Sequence, residues 1–404
     1  MGVSPVVKVL QLTKKVPFPI KDGESMAIYS LAESLVLNGA KVDLLSMNTQ
    51  KHRGVLANFK STFYKSVSMV DINTGFNLIT FIFHFFTSLP YQLSRFYHKS
   101  FKSYLINILL ANNFDYIFLE TIYLMPYVSI LKKYSKAKIV LRTHNLEYEI
   151  WNRLQIRSKW GIQKFIFKIF SYQIHSFESK KLKKIDFLIS ISQRELEWFM
   201  HYYPKLKSLA IPITWNSGMI DTPLKEPNNN PTLFFIGSLD WKPNLEGLCW
   251  FLHHIWPLIN AKIPNLSFYV AGRNMPENLK QLKIPNVTMI GEVENSNQFI
   301  NLHDICIVPL LSGSGMRAKI IEAMAMGKVV VTTSMGLEGI KATDGFDVCV
   351  ADTSSQFLTI ILDLISNPLK IKKIGFNARN TIKDNYDSLL MGKKLITFLK
   401  NDNI

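Results

Sequence analysis

Short apolar runs recur along the chain, and segments with helical spacing separate them. In the first half the runs are Val6–Leu12, Val42–Ser46, Asp115–Leu119, Lys138–Leu141 and Asp186–Ile191. In the second half they are Thr232–Ile236, Ser267–Ala271, Val287–Ile290, Ile305–Leu311 and Val329–Thr332. A continuous apolar run of strand length fits a strand buried on both faces, as in a parallel sheet. Helical spacing marks Ser25–Leu37, which Asn38-Gly39 stops, then Tyr91–Ile108 and Asn244–Ile259. The polar positions of Tyr91–Ile108 carry Arg95, His98, Lys99 and Lys102. After Ile340 come a strand at Val348–Val350 and two helical runs, the last being Ser388–Lys400. Strands and helices that keep alternating predict an α/β chain with doubly wound parallel sheets. Pro212–Pro231, with its prolines and Asn228-Asn229-Asn230, has linker composition and no period. The predicted division is therefore residues 1–211 and 212–387, with the closing helix at 388–404.

One stretch, Ile305–Thr333, organises the second half: strand, glycine loop, helix (Met316–Met326) and strand. Gly313 and Gly315 flank Ser314 and leave the backbone bare before Met316, where an anion can meet free N–H groups at a helix end. Arg317 and Lys319 fall in the first turn, where a cation opposes the helix dipole unless a phosphate offsets it. Glu322 lies on a helix that is apolar almost all round, so its carboxylate needs donors such as sugar hydroxyls. A buried helix with a solvated rim is the plainer reading. Other strand ends carry Gly237, Gly272 with Arg273, and Gly291; Lys242 follows the first. Together they suggest one crevice along the carboxyl edge of the sheet.

In the first half, Gly23 follows the first strand, where it serves a ligand loop or a turn equally well. Two loops at strand ends are richer. One holds Glu120, Thr121 and Tyr123; the other runs Arg142-Thr143-His144-Asn145-Leu146-Glu147. Polar groups packed at the carboxyl end of a buried strand are site candidates. His144 suits a proton carrier or a hydroxyl contact, or a structural cap. Trp151–Lys184 interleaves Trp160, Phe165, Phe167, Phe170, Tyr172 and Phe177 with Arg157, Lys159, Lys164 and Lys168. Such a segment suits an anionic membrane interface or a helix packed on the sheet.

Composition changes this picture in one respect. The 404 residues are 48% hydrophobic, enough for two cores, but 47 basic against 30 acidic residues give a formal charge of +17. That favours anionic partners. No disordered basic tail is evident, so nucleic acid is not expected. No apolar stretch reaches spanning length, and the N-terminus lacks signal-peptide features. Cys249, Cys306 and Cys349 are widely spaced and read as buried free thiols of a reducing cytoplasm.

Four blocks carry a family resemblance: Gly313–Ile340, Phe234–Asn244 (FFIGSLDWKPN), Val140–Trp151 (VLRTHNLEYEIW) and Phe268–Arg273 (FYVAGR). In these the chain resembles glycosyltransferase family 4, over nearly its whole length. The resemblance implies the GT-B fold, two Rossmann-like domains facing across a cleft. The C-terminal domain would hold a nucleotide-diphosphate sugar and the N-terminal one the acceptor. It implies a retaining, metal-independent transferase with no cofactor beyond the donor. Consistent with that, the sequence has no Asp-x-Asp pair, so cations and helix-end N–H groups must neutralise the diphosphate. By this resemblance His144, Arg317 and Lys319 are the catalytic group. Gly237, Lys242, Arg273, Gly313, Ser314, Gly315, Met316 and Glu322 bind the donor, and Glu322 matches the second Glu of the Glu-x7-Glu pattern. Gly23, Glu120, Asn145 and Glu147 lie on the acceptor side. Two departures stand out: Ser314 replaces the first Glu, and Ser238 stands where the family has an Arg. The expected partners are a nucleotide-sugar donor, a glycan or lipid-linked acceptor and an anionic membrane surface, with a cytoplasmic location at its inner face. A nucleotide-sugar 2-epimerase of the same fold and a non-catalytic nucleotide-sugar-binding subunit are the alternatives.

Overall fold

The computed structural model describes residues 6–20, 22–50, 53–55, 63–75, 77–85, 87, 89–158, 161–216, 218, 226, 228, 230–313 and 315–401. The chain forms two compact units, Met1–Thr214 with Ser388–Ile404, and Trp215–Asp387. The linker expected at Pro212–Pro231 falls partly outside the described residues.

The N-terminal unit is built on a parallel sheet of β1 (Lys8–Thr13), β2 (Lys41–Thr49), β3 (Ser66–Ile72), β4 (Tyr116–Leu119), β5 (Lys138–Thr143), β6 (Phe187–Ser190) and β7 (Lys207–Ala210). Its order is β3-β2-β1-β4-β5-β6-β7, so the winding reverses between β1 and β4. The outermost strands, β3 and β7, have no counterpart in the apolar pattern. Each pairs on one side only and stays half-exposed, and Ser66–Ile72 mixes polar with apolar residues. The central strands are buried on both faces. Leu10, Leu12, Leu119 and Leu141 pack to one side. Val9, Val42, Phe118 and Val140 pack to the other, with Leu395 and Leu399.

Helix α1 (Gly23–Leu37) begins at Asp22, whose side chain caps Ser25 N at 2.8 Å. The expected helix Tyr91–Ile108 is broken into Tyr91–Ser94 and Lys99–Ala111. Tertiary hydrogen bonds take over the backbone at the break: His98 N donates to Tyr127 Oη, and that hydroxyl donates to Phe96 O, both at 2.8 Å. The basic aromatic segment folds as α2 (Glu147–Arg157) and α3 (Ile162–Lys180), joined by Trp151 packed against Phe167 and Phe170. Phe167, Phe170 and Phe177 thus face protein, whereas Phe165 and Tyr172 are exposed; Lys159 and Trp160 lie outside the described residues.

The C-terminal unit carries a second parallel sheet: β8 (Leu233–Ile236), β9 (Phe268–Ala271), β10 (Val287–Gly291), β11 (Ile305–Val308), β12 (Val329–Thr332) and β13 (Cys349–Val350). Its order is β10-β9-β8-β11-β12-β13, with the reversal between β8 and β11. β11 stops three residues before the expected Leu311 because Pro309 has no N–H to give the ladder. α4 (Lys242–Trp250) runs through a π-turn at Phe251–Ile255 into Trp256–Lys262. α5 (Ala318–Ala325) begins two residues later than Met316, and α6 (Pro368–Tyr386) ends the unit. Cys306 and Cys349 are buried free thiols, whereas Cys249 is partly exposed. Among the described residues no helix is long and apolar enough to cross a membrane.

The last helix, α7 (Ser388–Lys400), returns to the N-terminal unit and packs on α1. Tyr116 Oη donates to Leu399 O at 2.9 Å, and Asn38 Nδ2 to Leu389 O at 3.0 Å. The helices meet so closely at Gly392 that a Cβ there would lie 2.2 Å from Ser34 O. Backbone cannot retreat as a side chain can. Gly392→Val should cost about 1–3 kcal/mol by overpacking, read in denaturant unfolding; a variant as stable as the parent would show that α7 does not rest on α1.

Candidate active site

In the C-terminal unit, β11 feeds the loop 309–317 at the sheet's reversal point, where ligands bind in open α/β folds. α4 rides directly on this loop: a Cβ at Gly247 would lie 2.2 Å from Pro309 O. Gly313 and Gly315 take φ values of +124° and +77°, which L side chains rarely adopt. This unwinds the expected first turn, so Arg317 is the N-cap of α5 and Lys319 lies one residue inside. The Arg317 side chain makes no capping hydrogen bond to the helix. Arg317 is buried, and its guanidinium turns back to donate to Gly315 O and lies 5.7 Å from the Trp241 ring centre.

Lys319 Nζ donates to Asn244 Oδ1 at 2.6 Å and sits 4.5 Å from the centre of the Phe235 ring. Asn244 is in turn held by Ser238 O at 2.8 Å. A Cβ at Gly237 would lie 2.7 Å from Lys319 Nζ and 2.8 Å from Asn244 Nδ2, so glycine makes room for this pair. Burial, with a weaker contribution from the like charge of Arg317 and an opposing one from Cys306, brings the ammonium of Lys319 down to about 7. Arg273 reaches Ser238 Oγ at 3.2 Å. It thereby places a cation beside Ser238. Glu322 accepts from Ser296 Oγ at 2.9 Å; burial pushes its carboxyl up, and the Ser296 hydroxyl opposes this. Met316 is half-buried. Lys242 is exposed and is the first residue of α4. Ser314 lies outside the described residues.

The N-terminal unit gathers a second set at the ends of β1, β4 and β5. Glu120 was expected to face an acceptor, but it is fully buried and both oxygens are engaged. Oε1 accepts from Gln11 Nε2 at 2.6 Å; Oε2 accepts from His144 Nε2 at 2.8 Å and Arg142 Nη1 at 3.3 Å. Arg142 Nη1 also donates to Ala27 O at 2.6 Å, which ties the network to α1. Burial lowers the pKa of His144, with Arg142 adding to the effect and Glu120 opposing it. The neutral ring thus keeps its proton on Nε2 toward Glu120. Nδ1 is left with a lone pair and no hydrogen-bond partner among the described residues.

Beside it, Lys14 Nζ contacts Glu24 at 3.2 Å and the Tyr123 ring centre at 4.2 Å, and Tyr123 Oη donates to Glu147 Oε2 at 2.9 Å. Lys15 bridges Asp22 at 2.6 Å and Glu24 at 3.1 Å. Burial alone would raise the Glu24 carboxyl, but Lys14 and Lys15 outweigh it and hold it below the usual range. Burial raises the Glu147 carboxyl despite Lys14. Gly23 is not a loop glycine but the first residue of α1, and Asn145 is half-buried. Sequence reasoning missed Lys14, Lys15 and Glu24, and also Asn244 and Trp241. Asn244 read as a helix start. The paired lysines at the end of β1 were the available signal for the first group.

Residues 230–367, within the C-terminal unit, match the family described as Glycosyl transferases group 1. A Klebsiella pneumoniae protein described as an uncharacterized 44.6 kDa protein in the cps region is 25% identical over 98% of this chain and 100% of its own length. Among solved structures, a glycosyltransferase from Rickettsia africae has a TM-score of 0.64 at 16% identity, covering 98% of this chain and 99% of its own. HepE of Anabaena, solved with UDP-glucose, has a TM-score of 0.64 at 14% identity, covering 98% and 99%. These likenesses show the GT-B fold, in agreement with the resemblance seen in the sequence.

The buried network makes a stability prediction. Glu120→Ala would leave the Arg142 charge sealed in with no carboxylate, at a cost of roughly 3–5 kcal/mol. Urea unfolding measures it, and an unchanged midpoint would show that the pair does not hold the fold.

Proposed function

We propose that this chain is a metal-independent, retaining glycosyltransferase of the family 4 type. It would move a sugar from a nucleotide-diphosphate donor to a glycan or lipid-linked acceptor in surface polysaccharide synthesis. One observation carries the reading: Arg317 and Lys319 stand together at the start of α5, after two left-handed glycines, Gly313 and Gly315, and with Gly237 leaving room for Lys319. Two cations and bare amides at that mouth can take up the negative charge that grows on a departing diphosphate. Arg273, anchored on Ser238, adds a third cation at the neighbouring strand end. Glu322, already accepting from Ser296, offers its carboxylate to ribose hydroxyls. The UDP-glucose held by HepE and the cps-region setting of the Klebsiella protein support the donor class and the pathway.

In this reading His144 serves the acceptor half. Its neutral ring presents Nδ1 as an acceptor for a sugar hydroxyl while Glu120 fixes the tautomer. The incoming oxygen attacks from the face the diphosphate leaves, and the leaving phosphate takes its proton. Configuration is thereby retained without a carboxylate nucleophile.

The test is a panel of UDP-, GDP- and ADP-sugars with and without EDTA. Release of nucleotide, insensitive to chelator, is the expected result. Interconversion of the sugar would favour an epimerase, tight binding without turnover a binding subunit, and loss of activity with EDTA would remove the metal-free reading. Arg317→Ala should weaken nucleoside-diphosphate affinity by about ten- to a hundredfold, the range of a lost charge-assisted hydrogen bond.

Lys319 adds a pH dependence. Its ammonium titrates near 7 in the free protein, and a bound diphosphate raises that value. Binding above pH 7 therefore takes up a proton, so affinity falls as pH rises, by at most about tenfold per unit. Lys319→Arg, always charged, should flatten the profile; calorimetric titration across this range decides.

A further inference from the structure

The helix Leu78–Phe85 turns Leu78, Ile79, Ile82 and Phe83 outward, with Ile79 81% and Phe83 64% exposed. Positions i, i+1, i+4 and i+5 share one helical face, so this is a continuous apolar strip. The opposite side is anchored. Phe81 packs edge-on against Tyr91 and Phe170, with centroids 5.3 and 5.9 Å apart, and Gln173 Nε2 donates to His84 O at 3.3 Å. Phe170 and Gln173 belong to α3, which exposes a stripe of its own. Ile162, Phe165 and Tyr172 are 79%, 61% and 73% exposed at helical spacing, and Lys168 is exposed on the flank.

Charge sets this region apart from an ordinary greasy surface. No carboxylate occurs between Asp71 and Asp115, where Arg95, Lys99 and Lys102 lie. None occurs between Glu149 and Glu178, where Arg153, Arg157, Lys164 and Lys168 lie. Both exposed helices therefore sit in stretches of one sign. A second copy of the chain would bring like charges together across these strips, which disfavours self-association. An extended anionic, apolar-backed surface matches both properties.

We propose that the helix Leu78–Phe85 and the exposed stripe of α3 form a docking face for an anionic lipid bilayer. The apolar side chains enter the acyl boundary, and exposed cations such as Lys99 and Lys168 meet the headgroups. The inference deepens the reading above, because a lipid-linked acceptor resides in such a surface, but its observations stand without that reading.

Flotation of the full chain with phosphatidylglycerol-containing vesicles tests it. At low salt the protein should float with these vesicles, and it should stay behind with phosphatidylcholine alone or at high salt. Ile79→Ser with Phe83→Ser, both at exposed positions, should abolish flotation without shifting the thermal unfolding midpoint. Lys164→Gln with Lys168→Gln should reduce partitioning on the order of tenfold. Absence of flotation, or variants that float like the parent, overturns the proposal. So does a concentration-dependent dimer that the serine pair disrupts while vesicle binding is absent. Nucleotide release by a protein that does not float would sink the docking face alone and leave the transferase reading standing.

Discussion

Every paired strand in both sheets runs parallel, and that single constraint organises the chain. A parallel strand cannot turn straight back, so each needs a crossover, and all the strands deliver their loops to one edge. Where the winding reverses, neighbouring crossovers lie on opposite faces and leave an opening. The N-terminal unit fills the end of that opening with Gln11, Glu120, Arg142 and His144, the C-terminal unit with Asn244, Arg317 and Lys319. Polar groups so close to a dry sheet persist because each is bonded to another. The two units answer the demand differently. In one, a carboxylate sits at the hub and collects three donors; in the other, cations lie on glycine-cleared backbone.

The fold is legible in the sequence where strands are central and buried. Val9–Leu12 and Ile305–Val308 read plainly because both faces are buried and every residue but Gln11, which bonds Glu120, is apolar. β3 and β7 escape notice because an edge strand with a half-wet face carries no continuous apolar run. The break near Arg95 also escapes, since the hydroxyl that takes over its backbone groups, that of Tyr127, is distant in sequence. Among site residues, chemistry by residue type is visible but partnership is not. Glu120 is conspicuous as a polar group at a strand end, yet only the packing of β1 and β5 beside it shows that its oxygens are spent inward. The start of α5 shifts because two left-handed glycines unwind a turn that spacing alone would wind.

The two cations at α5 also differ in kind. Arg317 is held by a carbonyl and an aromatic face and stays charged whatever its surroundings. Lys319 rests against an amide oxygen and a phenyl ring, where its charge is only marginally favoured. One is a fixed electrode. The other acquires its full charge when an anion arrives, which makes the site less repulsive while empty and more attractive once occupied.

The order in which the chain returns to its first unit has a biosynthetic consequence. Residues 215–387 are an insertion between β7 and α7, although α7 is what covers α1 and reaches Tyr116. On the ribosome, the N-terminal sheet therefore emerges long before the helix that seals one of its faces. Until α7 leaves the exit tunnel, Leu31, Leu35 and Val42 lack the apolar cover that Leu395 and Leu399 provide. The inserted unit has its own complete core and needs no such wait, so the part translated first is the part that finishes folding last.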